Sequence, residues 1–102
     1  MPARINEDHR VDDQGRPAGG TTEGIGMAIR WQDGPLATTE RNGAFVEDLI
    51  EAAIGRLRFY NAGAFACREN TLALQHLEEA LHWCQARTAD REKRGVEGTH
   101  AL

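Results

Sequence analysis

From about residue 44 to Lys93 the chain repeats its apolar residues at helical spacing, in two successive runs. In the first, Val46, Leu49, Ile50, Ala53, Ile54, Leu57 and Tyr60 fall on one stripe. Phe45, Ala52 and Phe59 lie about 100° or more off the centre of that stripe. A helix with an apolar stripe and a further aromatic ridge has two surfaces to cover, and one chain rarely supplies both. Asn42 is a candidate cap for a helix that begins near Ala44. Asn61-Ala62-Gly63 ends it, with Gly63 suited to the left-handed cap position. The second helix opens near Phe65 to Arg68 and runs towards Lys93. Its main stripe is Asn70, Ala73, Leu74, Leu77, Ala80, Leu81, Cys84 and Thr88, while Leu72, His76, Trp83 and Arg87 form a separate ridge. The short connection predicts an antiparallel hairpin. About 25 helical residues span about 40 Å, longer than a compact chain of this size is wide. The distal end is therefore expected to project towards another subunit.

Upstream the period changes. In GIGMAIRWQDGPLATTE, Met27, Ile29 and Trp31 share one face and Ala28 and Arg30 the other, the alternation of a half-buried strand. Asp33-Gly34-Pro35 breaks it, and Asp-Gly is a hairpin-turn signal. A second short strand through Leu36 to Glu40 would complete a small antiparallel ribbon. Residues 1–24, MPARINEDHRVDDQGRPAGGTTEG, hold few large apolar side chains and read as a flexible arm. That arm is either an inert tail or a segment that packs on a neighbouring subunit. The expected fold class is α+β: a short N-terminal antiparallel β ribbon followed by a long antiparallel helical hairpin, assembling as a homo-oligomer. The domain boundaries are 1–24 for the arm and 25–102 for the folded part.

Length and charge narrow the function. At 102 residues a single core is marginal alone, which favours self-association. A net charge of −4 argues against a coat for nucleic-acid polymers or membranes, so any anion site must be local. Cys67 and Cys84 fall on one helix about 25 Å apart, too far to pair with each other. Neither a CxxC pair nor clustered Cys/His spacing suggests zinc. With no charged-then-apolar leader and no run long enough to span a bilayer, a reduced, soluble intracellular protein is expected. Glu78, Glu79 and His82 could in principle serve as acid and base, yet Glu78 and His82 have the spacing of a solvent-facing helix pair. No GxSxG, HExxH or phosphate-loop pattern is present. A non-enzyme with no cofactor and no metal is the reading.

Binding residues are easier to find. REKRGVEGTH, residues 91–100, follows the long helix. Arg91, Lys93 and Arg94 could simply complement the helix dipole. Gly95 and Gly98 additionally let the backbone turn and present N–H groups, Thr99 adds a hydroxyl and His100 a titratable ring. Cations with amides and a hydroxyl suit a phosphodiester. Among the aromatics, Trp31 beside Arg30, and Phe65 beside Arg68 and Asn70, have the make-up of a purine site.

Together WQDGP at 31–35, NGAFVED at 42–48, FACREN at 65–70, LEEALHW at 77–83 and RTADREKRGVEGTH at 87–100 resemble the phage-encoded cyclic-nucleotide sponges. These are the Thoeris anti-defence proteins and their anti-CBASS relatives, which share a helical-hairpin domain. The resemblance runs from about residue 25 to residue 100. It implies a non-catalytic hexamer, a trimer of dimers, that holds immune signalling nucleotides in the cytoplasm of the infected bacterium without cleaving them. The alternating segment at 27–31 is more similar to the Thoeris type, which binds glycocyclic ADP-ribose between paired subunits; the anti-CBASS type binds cyclic dinucleotides there, and both hold cyclic trinucleotides at three-fold axes. Carried over by motif, Arg91, Arg94, Val96, Gly98 and Thr99 would line the three-fold pocket. Arg30, Trp31, Phe65, Arg68 and Asn70 would line the pocket between paired subunits. The competing expectation is an interaction module that docks Leu72, Trp83 and Phe59 onto another protein and takes no small ligand.

Overall fold

The most polar part of the chain forms a sheet. In the structure, a computed structural model that describes residues 5–95 and residue 99, β1 (Asn6–Val11), β2 (Pro17–Gly24) and β3 (Met27–Arg30) are antiparallel in the order β1-β2-β3. Residues 6–24, whose composition reads as a flexible arm, thus supply β1 and β2. Turn chemistry, not burial, orders β1, since every one of its residues is exposed. Asp12 Oδ1 accepts from the Gln14 amide at 2.9 Å and the Arg16 amide at 3.0 Å, and Oδ2 from Arg16 Nε at 2.7 Å. Gly15 completes the turn with φ 76°, which only a residue without Cβ adopts freely. Side-chain bonds of this kind close a hairpin locally, where the loop entropy is small. The same bonds, chiefly the Arg16 amide, hold the Asp12 carboxyl below the usual carboxylate range.

β2 carries an irregularity. His9 faces Gly20 but Val11 faces Pro17, so the extra residue lies in β2. There Gly20 has φ 126° and sits against Asp8 so closely that a Cβ would overlap the Asp8 carbonyl.

The ribbon partner of β3 is β2, through Thr22↔Ile29 and its neighbours, and not Leu36–Glu40. After β3 the chain makes a loop instead of a hairpin. The amides of Thr38 and Thr39 both donate to the Pro35 carbonyl, at 3.1 and 2.9 Å, and the loop returns so that Trp31 and Ala44 form a parallel bridge. Two side chains clasp its ends. Gln32 Oε1 accepts from the amides of Asn42 and Gly43 at 2.9 and 3.1 Å, and Gln32 Nε2 donates to the carbonyls of Gly34 and Glu40 at 3.2 and 3.0 Å. Asn42 Oδ1 accepts from the Asp33 amide and Asn42 Nδ2 donates to the Asp33 carbonyl, both at 2.8 Å. Asn42 is therefore a loop clasp and not a helix cap.

The helices are α1 (Val46–Asn61) and α2 (Arg68–Lys93). They form the antiparallel hairpin expected from their periodicity. Glu47 and Asp48 in the first turn of α1 complement its positive end. Every member of the α2 stripe, from Asn70 to Thr88, is half-buried, and Leu72, His76, Trp83 and Arg87 are exposed. Ile54, 4 % exposed, is the one buried hydrophobic side chain among the described residues. Asn61 joins the helix ends: its Nδ2 donates to Thr71 Oγ1 at 3.0 Å and its Oδ1 accepts from the Cys67 amide at 3.2 Å. Gly63 does not take the left-handed conformation expected of it; its amide closes a tight turn to the Tyr60 carbonyl at 3.2 Å instead. Gly95, with φ 75°, is the left-handed residue that follows α2. The chain divides into two units, one holding the sheet and loop to Phe45 together with Arg94, Gly95 and Thr99, the other the hairpin Val46–Lys93.

Candidate functional site

The hairpin unit has an open pocket at its turn, about 500 Å³ in volume, lined by Arg56, Phe59, Tyr60, Ala62, Gly63, Ala64 and Phe65. Its shape follows from local sequence. Arg56 lies three and four residues before Phe59 and Tyr60, so all three meet on one side of α1. The Arg56 guanidinium carbon stands 4.9 Å from the Phe59 ring centre and 5.0 Å from that of Tyr60. The two rings are 6.0 Å apart and tilted by 53°. The turn after Asn61 then brings Phe65 to the same pocket. Phe59 is 65 % and Phe65 77 % exposed. An exposed Phe65 ring beside a cation held over Phe59 and Tyr60 is suited to a flat, electron-rich base or an anionic group attached to it.

Of the expected pocket between paired subunits, Phe65, Arg68 and Asn70 lie in the hairpin unit. Phe65 lines the cavity. Asn70 is half-buried and its Nδ2 donates to the Phe65 carbonyl at 3.0 Å, so it fixes the backbone that carries Phe65. Arg68 is exposed at the start of α2. Arg30 and Trp31 lie in the sheet unit. Arg30 is exposed. Trp31 is half-buried, and its indole N–H donates to Thr22 Oγ1 at 2.8 Å, a hydroxyl buried in the sheet. Its first role is to tie the loop to β2.

Of the expected three-fold pocket, Arg91 is buried, at 6 % exposed, while Arg94 and Thr99 are exposed. All three are engaged in interactions within the chain. Val96 and Gly98 lie outside the described residues. Sequence reasoning passed over Arg56, and it placed Tyr60 only on the packing stripe; the signal for both was the three- and four-residue spacing from Arg56 to the rings.

Two of the acid–base candidates, Glu78 and His82, have other partners. Glu78 pairs with Arg58 at 3.3 Å across the hairpin, and His82 stands edge-on to Trp83 at 5.1 Å and 70°. Among the described residues no group of three or more His, Cys, Asp or Glu is placed to hold a metal ion, and no helix is long and apolar enough to cross a membrane.

The pocket, the loop clasp and all but the last turn of the hairpin lie within a span that known proteins share. Residues 23–89 match the family model described as Acb2/Tad1, hairpin domain. Over 72 residues the chain is 50 % identical to Thoeris anti-defense 1 of Bacillus phage SBSphiJ7, an alignment covering 71 % of this chain and 51 % of that protein. The chain thus spans about half the length of this curated relative. On the extent of these matches, the chain belongs to the Acb2/Tad1 hairpin-domain family.

Proposed function

We propose that the chain is a phage anti-defence sponge. It binds cyclic nucleotide immune signals, glycocyclic ADP-ribose or cyclic di- or trinucleotides, inside the infected bacterial cell. It holds them uncleaved and so blocks Thoeris immunity, CBASS immunity or both. The observation that carries this reading is the aromatic pocket at the hairpin turn, where Arg56 lies over Phe59 and Tyr60 and Phe65 opens to solvent. It falls inside the span matched by the family. In this reading Arg30, Trp31, Phe65, Arg68 and Asn70 serve the pocket completed by a paired subunit, and Arg91, Arg94, Val96, Gly98 and Thr99 serve a trinucleotide pocket at a three-fold axis.

A homohexamer, a trimer of dimers, is the assembly such pockets require. Surface physics supports association: Phe59, Phe65 and Trp83 are more than half exposed, and Ile54 alone among the described hydrophobic residues is buried. Retention without cleavage is supported by the lining of the turn pocket, Arg56, Phe59, Tyr60, Ala62, Gly63, Ala64 and Phe65, which contains no carboxylate, imidazole or thiol.

Calorimetry with glycocyclic ADP-ribose and a panel of cyclic di- and trinucleotides tests the proposal. Binding followed by recovery of intact ligand after heat denaturation is the expected result. Recovery of hydrolysed product alone would make the protein an enzyme, and no binding across the panel would remove the sponge reading. The exposed ridge of Leu72 and Trp83 favours one other reading, a module that docks on a host protein. A monomeric mass at micromolar concentration would select it.

A further inference from the structure

β1 is one of the two outer strands of the sheet, and all six of its residues, Asn6 to Val11, are exposed. It lies outside residues 23–89, which the family model covers. An open edge strand presents unpaired backbone groups, and charge on it ordinarily discourages pairing with another chain. The order of charges in Glu7-Asp8-His9-Arg10 does the opposite for one particular partner.

Which backbone groups face outward follows from the ladder. The Trp31 amide donates to the Gly20 carbonyl at 3.0 Å, so Gly20 turns its backbone groups away from β1. By alternation Thr22 does the same, while Thr21 and Glu23 turn theirs towards β1. Asp8 and Asn6, their partners, therefore use their backbone groups within the sheet. Glu7 and His9 point theirs at the open edge. Val11 continues the outward set, because the next amide, that of Asp12, donates inward to the Arg16 carbonyl at 2.9 Å.

Two copies of one strand can pair antiparallel about a two-fold axis only if a residue meets its own equivalent. Three registers overlap most of β1. Centred on Asp8, the register sets carboxylate against carboxylate in a close pair, with Cα atoms about 4.5 Å apart. Centred on Arg10, it sets guanidinium against guanidinium in the same way. Centred on His9, it sets Asp8 against Arg10 of the other copy, twice, in the close pairs where side chains interact most strongly. His9 then meets His9, and Glu7 meets Val11, at the positions whose backbone groups point outward, so each pair can exchange two hydrogen bonds. Asp8 and Arg10 already share one face, with Arg10 Nε 3.0 Å from Asp8 Oδ2. A second copy would close them into a ring of four alternating charges.

We propose that β1 is a self-complementary edge that pairs antiparallel with β1 of a second copy about a two-fold axis at His9, joining two sheets into one. The contact is independent of the ligand reading, and its failure would leave that reading as it stands.

Disulfide trapping in the full chain tests it. In the proposed register the two position-9 Cα atoms are about 5.5 Å apart, within disulfide reach. His9→Cys is expected to link to its equivalent far faster than Asp13→Cys, a control in the exposed turn. Peptide mass spectrometry identifies the link, which matters because Cys67 and Cys84 are also free thiols. Adding D8R or R10D to H9C should abolish the link by setting like charges opposite each other, and D8R combined with R10D should restore it. A link at position 9 no faster than at position 13, or no recovery in the charge-swapped form, would overturn the proposal.

Discussion

Gln32→Ala removes all four hydrogen bonds that one half-buried side chain makes to the backbone of Gly34, Glu40, Asn42 and Gly43. At a net value of about 1 kcal/mol each, these bonds sum to about 4 kcal/mol. Glu40 and Asn42 are exposed, so water can replace their lost partners, and about 2 kcal/mol is the expected loss of local stability. The affected equilibrium is opening of the 31–44 loop, read by amide hydrogen exchange at Asn42 and Gly43. A loss of about 2 kcal/mol corresponds to exchange about thirtyfold faster at those two amides. Gln32→Glu separates the two halves of the clasp. Its carboxylate still accepts from Asn42 and Gly43, but it has no donor for the Gly34 and Glu40 carbonyls. Protection at Asn42 and Gly43 should therefore survive in Gln32→Glu while urea unfolding still shows a loss. Unchanged exchange in Gln32→Ala, or equal exchange in the two variants, would refute the assignment of the loop to this side chain.

Other perturbations probe the remaining units. Ile54→Ala empties the buried hydrophobic site of the hairpin and should lower stability by about 3 kcal/mol in urea unfolding. Asn61→Ala breaks the joint between the helix ends and should cost about 1 to 2 kcal/mol by the same measurement. Phe65→Ala should weaken a purine nucleotide by about 1 to 3 kcal/mol in calorimetry, with helicity unchanged because the ring is 77 % exposed. The Asp12 carboxyl lies below its usual range, so its contribution is fully present above the unfolded-state value and is lost as pH falls through the folded one. Wild type and Asp12→Asn should accordingly converge in stability on acidification below about pH 4, and a gap that stays constant would contradict the turn assignment.

The hairpin was legible in the sequence because burial on a helix is periodic. The eight α2 stripe residues are half-buried, the four ridge residues are exposed, and α2 ends at Lys93 as its pattern predicts. The sheet was legible only over Met27–Arg30, where side chains alternate. β1 and β2 were missed because what orders them is a carboxylate accepting from nearby amides at Asp12 and a backbone ladder, and neither requires large apolar residues. Asn42 and Gly63 were misassigned for a related reason. Each obeys a local rule for helix ends, but Asn42 is claimed by Asp33 nine positions earlier and Gly63 by a tight turn.

The clasped loop changes what the motifs mean. WQDGP and the Asn-Gly of NGAFVED are two ends of one clasped loop: Gln32 bonds to the amides of Asn42 and Gly43, and Asn42 bonds to Asp33. Gly43 lies so close to the Trp31 carbonyl that a Cβ there would overlap it. Those residues are therefore accounted for by loop geometry before any ligand is invoked, and the Trp31 indole is accounted for by its bond to Thr22. Replacing Trp31 perturbs the sheet first, so a fall in nucleotide affinity in such a variant reports on the fold as much as on the pocket. The Phe59 and Phe65 rings are more than half exposed. Their substitution isolates stacking from folding, and for that reason the hairpin-turn pocket is the place where the sponge reading meets its sharpest test.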